Sequence, residues 1–394
     1  MTRSYDVIVV GGGPGGGTAA FLLGRAGMRV LLLEKERLPR YKTCGGALSS
    51  RLLEQFPFSF DSIIESRAHS ISYALGKHSV EVPIADNSIN FVMRDRLDAH
   101  ILNHVQADIR QATAVRSLSE SPEHVIVETA DGDRFEAEYV IGADGANSIV
   151  AREVGLRRHR PLAAAIEVEA SVSGEVMRRF AGAPLFIFGE VPSGYLWVFP
   201  KAGHLSVGIG ALSPGPRRLK ATLTHVMARY GIRLEGAEMR GHPLPVYSRR
   251  EPISTPRTLL VGDAAGLVDP LTGEGIRLAV KSGRLAAESV LAGDPGRYPS
   301  LVHRQIGVSH MFGLAFSRVF YQLPTASFAL AVRNPLGTQA FVDLVSDRAG
   351  YPEVILRLIG SLPFHLLDQV LSGLAGTKDK RDRRRTIQTR DTRA

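Results

Sequence analysis

Residues 6–34 read DVIVVGGGPGGGTAAFLLGRAGMRVLLLE, and this stretch decides the fold. The β-branched run at 7–10 predicts a strand buried on both faces, and the pattern at 18–27 predicts a helix. A second strand is predicted at 30–33, directly before Glu34. A strand, a glycine-rich turn, a helix and another strand in this order predict the first unit of an α/β domain.

The turn carries Gly11, Gly13 and Gly16 in the pattern G-x-G-x-x-G. Gly11 permits a tight turn, Gly13 lets the backbone approach a pyrophosphate, and Gly16 lets the helix pack closely on the strand. The helix N-terminus offers free N–H groups to phosphates, and Glu34, about 20 residues on, can accept hydrogen bonds from ribose hydroxyls. Glycine-rich turns are common, so the predicted FAD or NAD site depends on the flanking elements.

Composition limits the class of protein. The 394 residues carry a net charge of +9 and are 44% hydrophobic, which indicates a globular chain of about two or three lobes. The single cysteine, Cys44, excludes an intramolecular disulfide and a cysteine-based metal cage. No apolar run reaches the roughly 18 residues that span a bilayer, and the first strand begins a few residues after Met1. We therefore expect a cytoplasmic protein.

The charge is concentrated in the C-terminal tail, residues 377–394. This tail has eight Lys or Arg and three Asp, hence five of the nine net charges. It lacks the interleaved aromatic residues of a nucleic-acid site, so we expect no nucleic-acid partner. A disordered, solvated tail is one interpretation. Peripheral contact with an anionic membrane, together with an amphipathic stretch at 351–374, is the other.

Two later strands also end in glycine turns. Residues 139–145 end in Asp144-Gly145, and residues 258–263 end in Gly262-Asp263. The sequence G-E-G-I at 273–276 then opens a predicted helix at 276–291. Residues 160–250 differ, because short predicted strands alternate with Gly and Pro around one helix at 218–230, which indicates a largely antiparallel second lobe.

These patterns give the predicted boundaries. The nucleotide-binding domain comprises 1–70, 91–160 and 251–310; the antiparallel-sheet domain comprises 71–90 and 161–250. A helical region at 311–376 and a disordered tail at 377–394 follow. Three local predictions are a helix at 48–53, a helix at 91–104 capped by Asp95, and a strand at 112–115.

The three glycine turns in this order resemble those of FAD-dependent oxidoreductases of the aromatic-hydroxylase type. The resemblance implies a Rossmann-like, three-layer β/β/α FAD-binding domain with an inserted antiparallel-sheet substrate domain and C-terminal helices. Within that group, P-R-Y-K-T-C-G-G at 39–46 and Y-L-W-V-F-P-K at 195–201, followed by G-I-G at 208–210, resemble the geranylgeranyl reductase family. Leu97 replaces that family's usual aromatic residue, and the gap between 201 and 208 is somewhat short.

The resemblance also implies site residues. Asp263 would hold ribityl or ribose hydroxyls, the G-E-G-I turn would offer N–H groups to the isoalloxazine ring, and Asp144 would lie near the pyrophosphate and a visiting nicotinamide nucleotide. Cys44 would be the proton donor or a gate. The implied FAD contacts are Gly11, Gly13, Gly15, Gly16, Glu34, Gly45, Arg94, Ala114, Asp263, Gly275 and Ile276.

Tyr195, Trp197 and Phe199 alternate along a predicted strand, so all three face one side of the sheet. They form either one wall of an apolar tunnel for a polyprenyl chain or an aromatic core stripe. For Cys44, composition alone favours a small thiol that fills a packing gap.

Three functions are open. The first, which the two local matches favour, is reduction of prenyl C=C bonds by hydride transfer from reduced flavin, with electrons from NAD(P)H or a ferredoxin-type protein. The second is a flavin monooxygenase or halogenase, although residues 18–21 lack the lysine that halogenases carry there. The third is a prenyl-binding flavoprotein without chemistry.

Overall fold

The computed structural model describes residues 3–85, 88–157, 162–212, 218–330 and 334–361. The predicted tail at 377–394 lies outside these residues. Residues 1–324 form one compact unit, and residues 325–394 form a second.

Strands dominate the first unit. In chain order they are β1 (Arg3–Val10), β2 (Val30–Leu33), β3 (Ala47–Ser49), β4 (Ile64–Ala68), β5 (Ser70–Leu75), β6 (His78–Pro83), β7 (Ile89–Val92), β8 (Asp108–Arg110), β9 (Val115–Glu120), β10 (Val125–Thr129), β11 (Arg134–Gly142), β12 (Ala163–Ala170), β13 (Leu185–Phe188), β14 (Gly194–Pro200), β15 (Leu205–Ala211), β16 (Arg240–Leu244) and β17 (Thr258–Leu260).

The helices lie between these strands and after them. They are α1 (Pro14–Arg25), α2 (Ser50–Leu53), α3 (Arg94–Leu102), α4 (Ile149–Glu153), α5 (Gly174–Phe180), α6 (Leu219–Arg229), α7 (Ile276–Leu291), α8 (Tyr298–Val302), α9 (Val308–Gln322), α10 (Pro324–Phe328) and α11 (Pro335–Val345). In the part of the chain that the structure describes, no helix is long and apolar enough to cross a membrane.

The first sheet has the order β8-β2-β1-β11-β10-β9, and β17 pairs with β11. β1 runs parallel to β2 and β11, while β9 and β10 are antiparallel. Strand β11 belongs to both arrangements, because its first half pairs with β10 and its last three residues pair with β17. Residues of α1 and α7 share one buried apolar cluster with these strands. The predicted α/β, Rossmann-like class is confirmed.

The second sheet has the order β16-β12-β15-β14-β13-β5-β6. Its neighbours are antiparallel except for β13 and β5, which are parallel. Alternate residues of β14 and β15 pack with α6 in an apolar cluster that includes Leu196, Val198 and Leu223. Side chains on the opposite face of β14 are therefore directed away from that core. A short third sheet, β3-β7-β4, completes the first unit.

Three local predictions are wrong. The segment predicted as a helix at 48–53 begins as strand β3, so only α2 is helical. Phe91 lies in β7, and the following helix begins at Arg94 without a side-chain cap; the Asp95 carboxylate accepts instead from the backbone N of Arg96 at 2.8 Å. Of the strand predicted at 112–115 only Val115 is in a strand, as the first residue of β9; residues 112–114 form an irregular bend, in which Ala112 has φ of +54°.

The second unit contains α11 and a helical stretch at 351–361. Asn334 caps α11, because its Oδ1 accepts from the Leu336 N at 3.2 Å. Its amide nitrogen donates to the Ser361 Oγ at 2.7 Å and joins the two segments.

Candidate active site

The first glycine turn is a closely packed junction between β1 and α1. Gly11 has φ of +105°, a value that favours glycine, and a side chain at Gly16 would overlap the Gly11 carbonyl oxygen. A Cβ on Gly15 would lie 3.0 Å from the Ala279 carbonyl oxygen of α7. No atom of the described residues lies within 4 Å of the position that a Cβ on Gly13 would take. The N-terminus of α1 thus keeps an open side at Gly13, as pyrophosphate binding requires.

Glu34 lies at the end of β2 and is buried. Its Oε2 accepts from the Gly12 N at 2.7 Å and its Oε1 from the Glu36 N at 3.0 Å. A carboxylate has about four acceptor positions, so Glu34 is oriented by the backbone and can still accept ribose hydroxyls. Ala114 lies at the same edge of the sheet, since the neighbouring Thr113 N donates to the Glu34 carbonyl at 2.9 Å.

The turns around Asp263 and Gly275 meet beside the first turn. A Cβ on Gly275 would lie 3.1 Å from Asp263 Oδ1, and a Cβ on Gly283 of α7 would overlap the Gly15 carbonyl. The N-termini of α1 and α7 are therefore held together, with Ile276 as the first residue of α7. Burial raises the pKa of Asp263, and the nearby cations Lys42 and Arg94 oppose that rise.

Asp144 has a structural use that the sequence did not reveal. Its carboxylate accepts from Ser148 Oγ and from the Ile149 N, both at 2.6 Å, and so fixes the start of α4. Its backbone N lies 3.0 Å from the position of a Cβ on Gly11. The main chain at Asp144 therefore adjoins the first glycine turn, while the side chain is occupied by its own helix.

Tyr195, Trp197 and Phe199 form a continuous aromatic surface on β14, here called the aromatic wall. Neighbouring ring centroids are 6.2 Å apart in both pairs. The Trp197 indole lies over Gly208 of β15, where a side chain would overlap it. The Tyr195 hydroxyl donates to the Thr272 carbonyl, so one end of the wall is tied to the G-E-G-I turn. The predicted common face is confirmed.

The Cys44 loop lies on the other end of the wall. A Cβ on Gly45 would lie 2.8 Å from the Phe199 ring and 3.1 Å from Trp197 Nε1. The buried Lys201 ammonium donates to the carbonyls of Gly45 and Val92, each at 2.8 Å. Cys44 itself is half-buried, and its Sγ accepts from the Gly46 N at 3.4 Å. The loop therefore contacts the wall through Gly45, while the Cys44 side chain packs against the apolar cluster that includes Leu97 and Ile276.

Arg94 is buried and carries its own counter-ion. Its guanidinium donates to Asp98 at 3.1 and 3.0 Å, and Arg40 reaches the same carboxylate at 2.9 Å. Burial alone would lower the pKa of Arg94, but Asp98 and the nearby Cys44 sulfur outweigh it and raise the pKa. Arg94 is thus a permanent cation next to the Cys44 loop.

Two residues of this region were missed from the sequence. Lys42 donates to His242 Nε2 of β16 at 2.9 Å. Burial, with Arg94 nearby, lowers the pKa of Lys42 to about 8; burial and Lys42 lower the pKa of His242 to about 3, so its imidazole is a neutral acceptor. Two hundred residues separate the partners, and only the tertiary fold brings them together.

These residues fit FAD. An open helix N-terminus at Gly13, an oriented carboxylate at Glu34 and a second glycine turn beside Asp263 match a pyrophosphate, a ribose and a flavin in that order. Backbone donors at the start of α7 suit the negative charge of a reduced flavin.

The comparisons with known proteins agree. Residues 4–292 match a family model described as an FAD binding domain. The chain is 31% identical over 384 residues to the chloroplastic geranylgeranyl diphosphate reductase of Oryza sativa subsp. japonica, covering 88% of this chain and 79% of that protein. It is 32% identical over 387 residues to digeranylgeranylglycerophospholipid reductase 2 of Methanothermobacter thermautotrophicus, covering 89% and 98%.

A solved structure shows the same fold. A geranylgeranyl bacteriochlorophyll reductase-like protein from Thermoplasma acidophilum superposes with a TM-score of 0.75 at 24% identity, covering 93% of this chain and 99% of that one. With a matching cofactor-domain model and relatives above 30% identity across nearly the whole chain, the protein belongs to the geranylgeranyl reductase family of FAD-dependent oxidoreductases.

Proposed function

We propose that this protein hydrogenates C=C bonds of a geranylgeranyl or other polyprenyl chain. One observation carries the proposal: the Cys44 loop and the G-E-G-I turn are held at opposite ends of the same aromatic wall. The loop that carries the thiol, an apolar surface and the turn that would bind the flavin are thereby brought together. The two relatives above are named for substrates that share the geranylgeranyl group.

Each part of the site has a role in such a reaction. FAD, when bound and reduced, supplies a hydride. The aromatic wall holds the chain and excludes water, which favours transfer to an unactivated alkene. Cys44 would give a proton to the second carbon, and Lys201 would hold the Cys44 loop in position through the Gly45 carbonyl.

The proposal defines the electron source, and the group attached to the prenyl chain, only as chemical classes. We expect reducing equivalents from NAD(P)H or from a ferredoxin-type protein. The substrate is a geranylgeranyl diphosphate, an ether lipid, a pigment tail or a quinone side chain. Each offers the same trisubstituted alkenes to the aromatic wall, so the free diphosphate is assayed first and the other three substrate types follow if it is not reduced.

The test is anaerobic. The purified holoenzyme is reduced with dithionite, geranylgeranyl diphosphate is added, and flavin reoxidation is followed with mass analysis of the lipid. Reoxidation with a product heavier by two hydrogens, or by multiples of two, supports the proposal. A flavin that stays reduced with each of the four substrate types, and is reoxidised only by oxygen, would overturn it. A hydroxylated or halogenated product in air would then indicate an oxygenase, and an inert complex would indicate a binding protein.

We also propose peripheral contact with an anionic membrane surface. The basic tail at 377–394 supplies net positive charge. Four apolar side chains on or next to α9 are exposed: Met311, Phe312, Val319 and Leu323. Exposed apolar side chains and a cationic segment in the same chain are each suited to an anionic bilayer surface, where polyprenyl lipids reside.

A further inference from the structure

Two buried carboxyl groups, Glu167 and Glu169, lie on the same face of the sheet as the aromatic wall. In β12 they are two residues apart, so they point to one side. Glu167 is opposite Gly208 of β15, and Gly208 is opposite Trp197 of β14. Strands in a sheet are about 4.8 Å apart, so the carboxyl pair lies two strands, about 10 Å, from the wall.

Glu167 is almost completely buried, with 1% of its surface exposed. Its Oε1 accepts from the Tyr41 hydroxyl at 3.2 Å and from Ser206 Oγ at 3.4 Å. No N–H or O–H group in the described part of the chain donates to its Oε2. The neighbouring Glu169 carboxyl is within hydrogen-bonding reach of Glu167. A buried carboxylate oxygen without a donor is costly, and a proton shared between the two carboxyls removes that cost.

The charges that face the pair come from several elements. In the β14–β15 hairpin, Lys201 interacts electrostatically with both carboxyl groups, and His204 Nε2 lies 2.9 Å from Glu169 Oε2. From β16, Arg240 pairs in register with Glu167 and places its guanidinium 3.8 Å from the centroid of the Tyr41 ring. Lys201 also interacts electrostatically with Cys44 and Glu65.

This balance favours one proton on the pair. Burial raises the pKa of Glu167 to about 8, and the proximity of Glu169 adds to the rise. Burial by itself would also raise the pKa of Glu169, but hydrogen bonding to His204 outweighs this effect and lowers the pKa. At neutral pH the proton therefore resides on Glu167, and the charge of the buried Lys201 is matched by Glu169. Coupled carboxyls at such short range titrate as a pair.

Two residues connect the pair to the Cys44 loop. Tyr41, whose hydroxyl donates to Glu167, lies in the Cys44 loop three residues before the thiol. Lys201, which faces both carboxyls, donates to the carbonyl of Gly45, directly after Cys44. His204 is about one quarter exposed, with 25% of its side chain accessible, and so connects Glu169 to solvent.

Building on the proposed function, we infer that Glu167 and Glu169 are the proton store that returns a proton to Cys44 after each alkene reduction. In the reduction, the Cys44 S–H bond breaks and a C–H bond forms at the carbon that does not take the hydride. The resulting thiolate takes a proton from the Lys201 ammonium, and Lys201 is reprotonated as the O–H bond of Glu167 breaks. Solvent then restores the proton through His204. No side chain changes its oxidation state in this sequence.

The kinetic test compares first and later turnovers. Glu167→Gln keeps the shape of the side chain but cannot release a proton. With excess dithionite and geranylgeranyl diphosphate, we expect the variant to reduce the first double bond at the wild-type rate, because Cys44 begins protonated. Later turnovers should slow at least tenfold, and this loss should grow as the pH is raised from 6 to 8. Glu175→Gln, at an exposed glutamate of α5, is the matched control. Equal later turnovers and equal pH profiles in the Glu167 variant and wild type would overturn the inference.

A second measurement does not depend on turnover. Infrared difference spectra of the wild-type holoenzyme at pH 7 should show the band of a buried protonated carboxyl group, and Glu167→Gln should remove it. The wild-type unfolding temperature should also fall between pH 5 and 8 more steeply than that of the variant, since a raised pKa contributes stability that is lost as the group ionises. Absence of the band in the wild type would overturn the inference. Failure of the wild type to reduce any prenyl chain while the band is present would count against the proposed function alone.

Discussion

At the scale of single residues, the cofactor site depends on side chains that the backbone orients beforehand. Glu34 shows this best, because its two oxygens accept from the backbone N–H groups of Gly12 and Glu36 before any nucleotide is considered. An acceptor that is already fixed loses little conformational entropy when a ribose binds.

We predict that Glu34→Gln weakens FAD binding ten- to a hundredfold. The substitution replaces hydrogen bonds to a charged group, worth about 1.5–3 kcal/mol, by weaker ones. Fluorescence titration of the apoprotein with FAD measures the dissociation constant. Glu36→Gln is the control, because Glu36 is exposed and contributes only its backbone N–H to Glu34. Equal affinity in both variants would show that Glu34 does not contact the nucleotide.

Cys44 gives the second prediction at this scale. If its thiol donates the proton, Cys44→Ala should slow prenyl reduction by about 10²–10⁴, the usual contribution of a general acid. FAD content and the rate of flavin reduction by dithionite should not change. Stopped-flow spectroscopy separates the two half-reactions, and Thr43→Ala in the same loop is the control. An equal rate of prenyl reduction in Cys44→Ala would assign the thiol to packing instead.

At the scale of secondary-structure elements, the aromatic wall depends on a glycine in the adjacent strand. Gly208 leaves the space that the Trp197 indole occupies, and a side chain there would overlap three of its ring atoms. The G-I-G pattern is therefore part of the proposed substrate surface, although it carries no chemistry of its own. Strand β14 supplies the rings, and β15 supplies the room for them.

We predict that Gly208→Ala displaces Trp197 and lowers the free energy of unfolding by about 1–3 kcal/mol, as overpacking of a core does. Binding of the prenyl chain should weaken while FAD content stays unchanged. Denaturant unfolding, near-ultraviolet circular dichroism and lipid binding measure the three effects. Gly203→Ala in the preceding turn is the control, because no atom in the described part of the chain lies within 4 Å of its Cβ position. An unchanged tryptophan signal in Gly208→Ala would contradict this account.

The elements also show what the sequence could predict. Local signals determine β1, α1 and β2, so the glycine turn and Glu34 were found without the structure. The helix predicted at 48–53 was wrong because pairing of β3 with β7, a long-range contact, overrides the local pattern. For the same reason the contacts of Lys42 with His242 and of Tyr41 with Glu167 were missed: the residues of each pair are more than 100 positions apart.

At the scale of the whole molecule, the chain order and the spatial order differ. Strands β5 and β6 precede α3, yet they complete the sheet that β12–β16 build. Each sheet therefore forms only after segments that are distant in sequence have paired. Only then does the Cys44 loop contact the aromatic wall. The chemistry of the site is thus a property of the assembled first unit rather than of any one segment.

The last prediction concerns the tail at 377–394 and anionic membranes. Each basic residue near such a surface contributes about 1 kcal/mol, so five net charges should dominate the attraction. We expect a chain that ends at 376 to lose at least tenfold in binding to vesicles that contain phosphatidylserine, with prenyl reduction in detergent unchanged. High salt should weaken vesicle binding of the full-length protein in the same way, because the Debye length falls to about 3 Å at 1 M salt. Vesicle co-sedimentation measures binding, and pure phosphatidylcholine vesicles are the control. Binding that persists without the tail and in high salt would assign the attraction to the exposed apolar side chains Met311, Phe312, Val319 and Leu323, and replacement of Phe312 and Val319 by Ser should then abolish it.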